Sequence, residues 1–132
     1  MRIGELATKT GLTTKTIRFY EQAGLLPAPP RTPGGYRDYP PHTVARLAFV
    51  RDAQAAGLTL AEIRSVLALR DSGQAPCAQV GVLIEEHLAE IDRRMAELRQ
   101  ARTVLRELAR RAAVTDPDTC SAGDICTILA RP

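Results

Sequence analysis

The sequence predicts a mostly α-helical protein, with a small N-terminal head and a long C-terminal helix that needs a partner. Three observations carry this. Two short amphipathic patterns flank a Gly-Leu-Thr turn at residues 11–13. A Pro/Gly-rich stretch, LLPAPPRTPGGYRDYPP, follows them and excludes a helix. No proline or glycine interrupts residues 82–113, where apolar residues recur in alternating steps of four and three.

The elements follow in order. Ile3, Leu6 and Ala7 lie at helical spacing, and Gly11 stops the first helix. The second restarts with Thr13 as N-cap and ends at Gly24. Two short helices about a tight turn form a helix-turn-helix. On the second helix Thr14, Lys15 and Arg18 share one arc, and Ile17, Tyr20 and Gly24 share the opposite one. A basic exposed arc is what a DNA-reading helix needs, because Lys and Arg reach phosphates and base edges. An ordinary solvated face has the same composition. The next segment favours DNA: Gly34-Gly35 suits a hairpin turn, and Tyr36, Arg37 and Tyr39 suit a short strand or wing behind it.

Pro40-Pro41 opens a third helix, with Val44, Leu47, Ala48 and Ala55 along one side and Gly57 after it. Thr59-Leu60-Ala61-Glu62 is a capping box for a fourth, which places Ile63, Val66 and Leu67 on one face. These two helices support the reading head. Gly73 and Pro76 mark a break. Ile84, Leu88, Ile91, Met95, Leu98, Arg102, Leu105, Ala109 and Ala112 then form a heptad seam with one polar intrusion, Arg102. A helix of roughly 30 residues is about 45 Å long, too long to pack along a head of this size. The seam calls for a second copy of the chain; the alternative is a helix folded back on its own head. The expected division is residues 1–72 as DNA-binding head, 73–81 as hinge, 82–113 as dimerisation helix and 114–132 as C-terminal loop and tail.

Residues 1–76 hold 10 Lys+Arg against 6 Asp+Glu, and residues 77–132 hold 8 against 9. The basic front half fits a polyanionic partner. No run approaches the roughly 18 apolar residues of a membrane span, and the polar start, MRIGELATKT, does not read as a signal peptide. A cytoplasmic protein with no membrane partner is expected. No nucleophile-base pair, phosphate loop or general-acid constellation is present, which argues against an enzyme.

Three cysteines, Cys77, Cys120 and Cys126, remain to be explained. In a reducing compartment an odd number of thiols reads as core residues, metal ligands or redox groups. The polar neighbours of Cys120 and Cys126 fit a core poorly. Cys77 lies seven residues before Ile84, in phase with the seam and at or near the helix start, where a thiolate is favoured. In an antiparallel dimer Cys77 of one chain approaches Cys120 and Cys126 of the other, and three converging thiolates make a site for a soft metal ion. A disulfide switch between Cys120 and Cys126 is the competing reading. Asp116, Asp118 or Asp124 could add an oxygen ligand. His87 reads as a flank residue of the long helix, and His42 belongs to the head.

The segments IGELATKTGLTTKTIRFYEQAGLL, GGYRDY and LAFVRDAQAAGLTLAEI resemble the MerR family of bacterial transcription regulators, and the resemblance runs over residues 1–112. EEHLAEIDRRMAEL is similar to the dimer helix of the metal-sensing branch. The resemblance implies a winged helix-turn-helix head, an antiparallel coiled-coil homodimer and promoters whose −35 and −10 elements are too far apart. It also implies that the effector acts by twisting and bending the DNA for RNA polymerase. Arg18, Tyr20, Tyr36 and Arg37 match the family's DNA contacts; Thr14 and Lys15 are weaker matches on the same arc. Cys77 matches the cysteine of sensors of mercury, zinc, cadmium and lead, where copper(I) sensors typically carry serine; a copper(I) sensor or a thiol redox regulator on the same scaffold are the alternatives. Cys126, before Thr127-Ile128-Leu129, matches the second loop cysteine. Cys120 stands eight residues past Ala112, where the family's first loop cysteine usually falls.

Overall fold

A computed structural model describes residues 1–119, 123 and 125–130. Five α-helices follow one another: α1 (Ile3–Thr10), α2 (Thr14–Gln22), α3 (Thr43–Ala55), α4 (Leu60–Asp71) and α5 (Cys77–Val114), with a short 3-10 turn at Pro117–Thr119. The chain divides into two compact units, Met1–His87 and the part from Leu88 on.

In the first unit the helix boundaries are set by local chemistry. Gly11 takes the left-handed conformation that ends α1, with φ of 72°. Thr13 Oγ1 accepts from Thr16 N at 3.1 Å and caps α2. The capping box of α4 is complete: Glu62 N donates to Thr59 Oγ1, and Thr59 N donates to Glu62 Oε1 at 2.8 Å. The core is one cluster in which Leu6, Ile17, Leu25, Leu47, Val50 and Ile63 are fully buried and Tyr39, Val66 and Leu83 nearly so. Two arginines tie the helices together through backbone carbonyls. Arg51 donates to Thr10 O at the end of α1, and Arg46 donates to Leu25 O while pairing with Asp71.

Four expectations are corrected. The long helix begins at Cys77, not near residue 82, and runs 38 residues, about 57 Å; Gly81 lies inside it, and a single interior glycine costs only about 1 kcal/mol. On α3 the buried side is Thr43, Leu47, Val50 and Ala53, while Ala55 is exposed at the last turn. Pro40 and Pro41 precede that helix as a turn instead of forming its first residues. The wing is a tight hairpin-like loop with a single antiparallel bridge, Arg31 to Arg37, and no strand is formed among the described residues. Gly35 N donates to Thr32 O, and Thr32 N donates to Tyr36 O, both at 2.8 Å. Gly35, at φ of 84°, supplies the left-handed residue that reverses the chain.

In the second unit the later turns of α5 carry an apolar stripe in the open. Leu88, Ile91, Met95, Leu98 and Leu105 are between 44 and 69% exposed. No helix among the described residues is long and apolar enough to cross a membrane.

Candidate functional site

The head presents a basic concavity of about 170 Å³ between the N-terminus, α2 and the wing, lined by Arg2, Ile3, Arg18, Arg31, Gly35, Tyr36 and Arg37. Backbone pairing builds it. Tyr39 N donates to Met1 O at 2.7 Å, and the Met1 amine donates to Asp38 Oδ1 and Tyr39 O. This lays the first residues along the return of the wing and brings Arg2 over the Tyr36 ring, 4.3 Å from its centroid. Arg31 Nη1 donates to Gly35 O at 2.8 Å and braces the turn. Among the described residues Arg2, Arg18 and Arg31 have no carboxylate at ion-pair distance. Three such guanidinium groups around one concavity have the chemistry to receive phosphate oxygens.

Of the residues expected to meet DNA, Lys15 and Arg18 are exposed on α2 and Thr14 is half-buried. Tyr36 is 57% exposed. Arg37 is anchored: its Nε lies 3.4 Å from Glu21 Oε2. Tyr20 is placed by its arc and not by its match to a DNA contact. Its ring is buried, and its hydroxyl donates to Gln54 Oε1 at 2.6 Å, which makes it a brace between α2 and α3. Arg2 and Arg31, which line the concavity, were not singled out in the sequence. Arg2 and Arg31 carry no local signal, because only the pairing of Met1 with Tyr39 brings them together.

Glu21 links the reading helix to the wing, since Tyr39 OH also donates to it, at 2.9 Å. Burial, and then the Glu21 carboxylate, push the Tyr39 phenol up to about 12. A folded value above the ordinary value of about 10 means that this group's contribution is intact below pH 10. It is lost as pH rises towards 12. In a spectrophotometric titration one tyrosine should ionise last, and Glu21→Gln should bring that transition to lower pH.

The residues expected to meet DNA make a direct prediction. Arg18→Ala should weaken operator binding by about 1.5–3 kcal/mol per site. Arg37→Ala should do the same and also leave Glu21 without its cation beside the concavity. Dimerisation should be unchanged in both. Band-shift titrations at fixed salt read the effect, and wild-type affinity in both variants would remove these residues from the interface.

The thiols fall in the two units. Cys77 is the exposed first residue of α5. Cys126 is half-buried and opens a turn in which Ala130 N donates to Cys126 O at 3.1 Å. Arg111, in the last turn of α5, pins that turn: its Nη1 donates to Ile128 O and Ala130 O at 2.8 and 2.9 Å. Cys120 and Asp124 lie outside the described residues. Asp116 Oδ1 accepts from Asp118 N at 2.9 Å. No group of three His, Cys, Asp or Glu side chains fit to hold a metal forms among the described residues of one chain. His87 is turned to Glu62, with Nε2 at 2.9 and 3.1 Å from the two carboxylate oxygens, and His42 is exposed on the head.

Residues 1–69 match the MerR HTH family regulatory protein domain, and residues 44–108 match the family described as MerR, DNA binding. The chain belongs to the MerR family. It is a helix-turn-helix transcription regulator and not an enzyme. A ZntR homolog of Haemophilus influenzae is 36% identical over 118 residues, covering 89% of this chain and 87% of that one. The mercuric resistance operon regulatory protein of Bacillus cereus is 40% identical over 110 residues, 83% of each chain. Among solved structures, the transcription regulator PbrR691 from Ralstonia metallidurans CH34, in complex with lead(II), is 40% identical. It covers 91% of this chain and 94% of that one, with a TM-score of 0.73. The MerR-like fold is thus established for the chain, and its relatives lie in the heavy-metal-responsive branch.

Proposed function

We propose that this MerR-family regulator is a cytoplasmic homodimer that activates transcription in response to a soft divalent ion: mercury, lead, cadmium or zinc. The observation that carries the reading is Cys77. It is an exposed thiol on the first residue of α5, in a chain 40% identical to a mercuric resistance regulator. Cys77 of one protomer with Cys120 and Cys126 of its partner would hold the ion; thiolates suit soft cations, and three of them suit a divalent ion better than copper(I). The open stripe on α5 is the surface on which two copies would pair antiparallel, which sets the start of one helix beside the end of the other.

The chain's own residues would then divide the work. Arg2, Arg18, Arg31 and Tyr36 would hold phosphates, with Lys15 and Thr14 towards the base edges. Glu21 would keep the wing in register with α2. Arg111 would hold the turn that begins with Cys126. Closure of the C-terminal loop onto the partner's first helical turn would tilt the two heads. That tilt would distort a promoter with an overlong spacer until RNA polymerase engages both of its elements.

The test is transcription in vitro from the chain's own operator with copper(I), zinc, cadmium, lead and mercury as separate additions. At least one divalent ion should activate, and Cys77→Ser should remove the response. Activation by copper(I) alone, or by an oxidant without metal, would replace this reading with a copper(I) or redox sensor.

A further inference from the structure

The first turns of α5 carry two stripes that differ by one residue. Val80 packs against the head core, Leu83 is buried in it, and His87 faces Glu62; they follow at steps of three and four. Ile84, Leu88 and Ile91 sit one position further on, about 100° around the helix, and are 46, 48 and 53% exposed. One face of α5 therefore belongs to the head, and the next is free for a second copy. His87 is the last member of the head stripe. One turn on, Glu90 is engaged by Arg93 and Arg94 of its own helix.

Glu62 receives His87 in a fixed position. Its Oε1 completes the cap of α4 by accepting from Thr59 N at 2.8 Å, and both of its oxygens lie within 3.1 Å of His87 Nε2. The Thr59 N–H first, and His87 second, hold the Glu62 carboxyl below the usual carboxylate range. Nε2 carries the proton in this contact, as a carboxylate only accepts. The carboxylate is thus preorganised by backbone, and a movement of His87 acts on the start of α4 and not on a loose side chain. From α4 it reaches α3, and from α3 it reaches α1 of the reading head, through packed contacts.

We propose that the His87–Glu62 contact is the coupling element through which a shift of the long helix is delivered to the DNA-reading head. Both are positioning residues: neither thiol nor DNA contact is assigned to them. The inference rests on the metal-responsive reading above. Glu62 and His87 side chains are 23 and 32% exposed, and pairs this open add little to stability. Variants should therefore fold, pair and bind DNA.

Three quantities test it on the full-length dimer: cadmium affinity from thiolate charge-transfer absorbance, operator affinity without metal, and fold-induction of transcription by cadmium or whichever panel metal activates the wild type. His87→Ala should leave both affinities within about twofold of wild type and lower induction about fivefold or more, the small end of allosteric coupling. Glu62→Gln, which keeps a capping side chain, should do the same. The double variant should be no worse than either single one, because both break one contact. His87→Lys, which restores an N–H donor opposite Glu62, should recover induction. Wild-type induction in His87→Ala overturns the inference. So does a loss of induction that is matched by an equal loss of operator affinity or thermal stability. A wild-type protein that no metal induces fails in the control arm, and that outcome overturns the metal reading itself.

Discussion

On the antiparallel pairing proposed above, Leu98→Asp is expected to yield monomers. The seam from Ile84 to Ala112 has its midpoint at residue 98, and Leu98 is 69% exposed on one chain, the most open of the seam's large apolar residues. In an antiparallel pair centred there, the two Leu98 side chains meet near the symmetry axis. Aspartate would then place two carboxylates against each other in a desolvated seam. An unpaired buried charge costs several kcal/mol, and the repulsion adds to this. The lost leucine contacts take roughly another 2 kcal/mol from each chain. A two-stranded interface built on so few large side chains does not survive that loss. Light scattering should show one chain's mass, or aggregates if the bare stripe associates without order. Circular dichroism should show the head still folded, because its core is complete within residues 1–87. A stable dimer in this variant would show that the stripe faces something other than a second copy.

What the sequence made legible depended on how local the cause was. Gly11, Thr13 and the Thr59/Glu62 box act within one turn, and each ends or begins a helix where expected. The heptad steps on α5 are also local, and they point out the apolar stripe that the fold leaves open. Failures came where distant chain segments decide. The side of α3 that is buried is chosen by the neighbours of Val50 and Ala53, so a tally of apolar residues that included Ala55 picked the wrong last turn. Residues 77–81, expected as hinge after the break at Gly73 and Pro76, are the first residues of α5, where Val80 and Leu83 pack on the head core. The basic concavity was half-seen. Arg18 and Arg37 lie in recognisable segments, but Arg2 and Arg31 enter only through the pairing of the first residues with the wing. Tyr20 shows the converse: its place on the apolar arc was a better guide than its match to a DNA-contacting position. The sequence names three thiols as a ligand set but no geometry for them, and one chain carries Cys77 and Cys126 on separate units.

A mixed dimer should decide whether the thiols of two chains share a site. One chain carries Cys77→Ser, and the other carries Cys120→Ser together with Cys126→Ser. If Cys77 of each chain works with Cys120 and Cys126 of its partner, the two junctions become unequal. The junction that joins the intact Cys77 to the intact loop keeps all three thiols. The other junction loses all three. Metal should then bind at about half the wild-type stoichiometry, with near-normal affinity, and the half-site dimer should retain thiolate-to-metal absorbance at half intensity. If each chain instead builds its own site, one chain has a loop without Cys77 and the other has Cys77 without a loop. No complete site survives in that case. Losing one or two of three thiolate ligands leaves a soft divalent ion with an incomplete set, and tight binding should disappear. Equilibrium dialysis on a tandem-tagged heterodimer separates the two outcomes, and the dimer formed by Cys77→Ser chains alone supplies the baseline for a site with two thiols. Half-stoichiometric binding would place the effector at the junction between subunits, where Cys77 opens α5 and where, on the antiparallel arrangement, the turn pinned by Arg111 of the partner arrives. Loss of tight binding would leave the three cysteines as a ligand set and rule out loop closure across the dimer as the source of the head tilt.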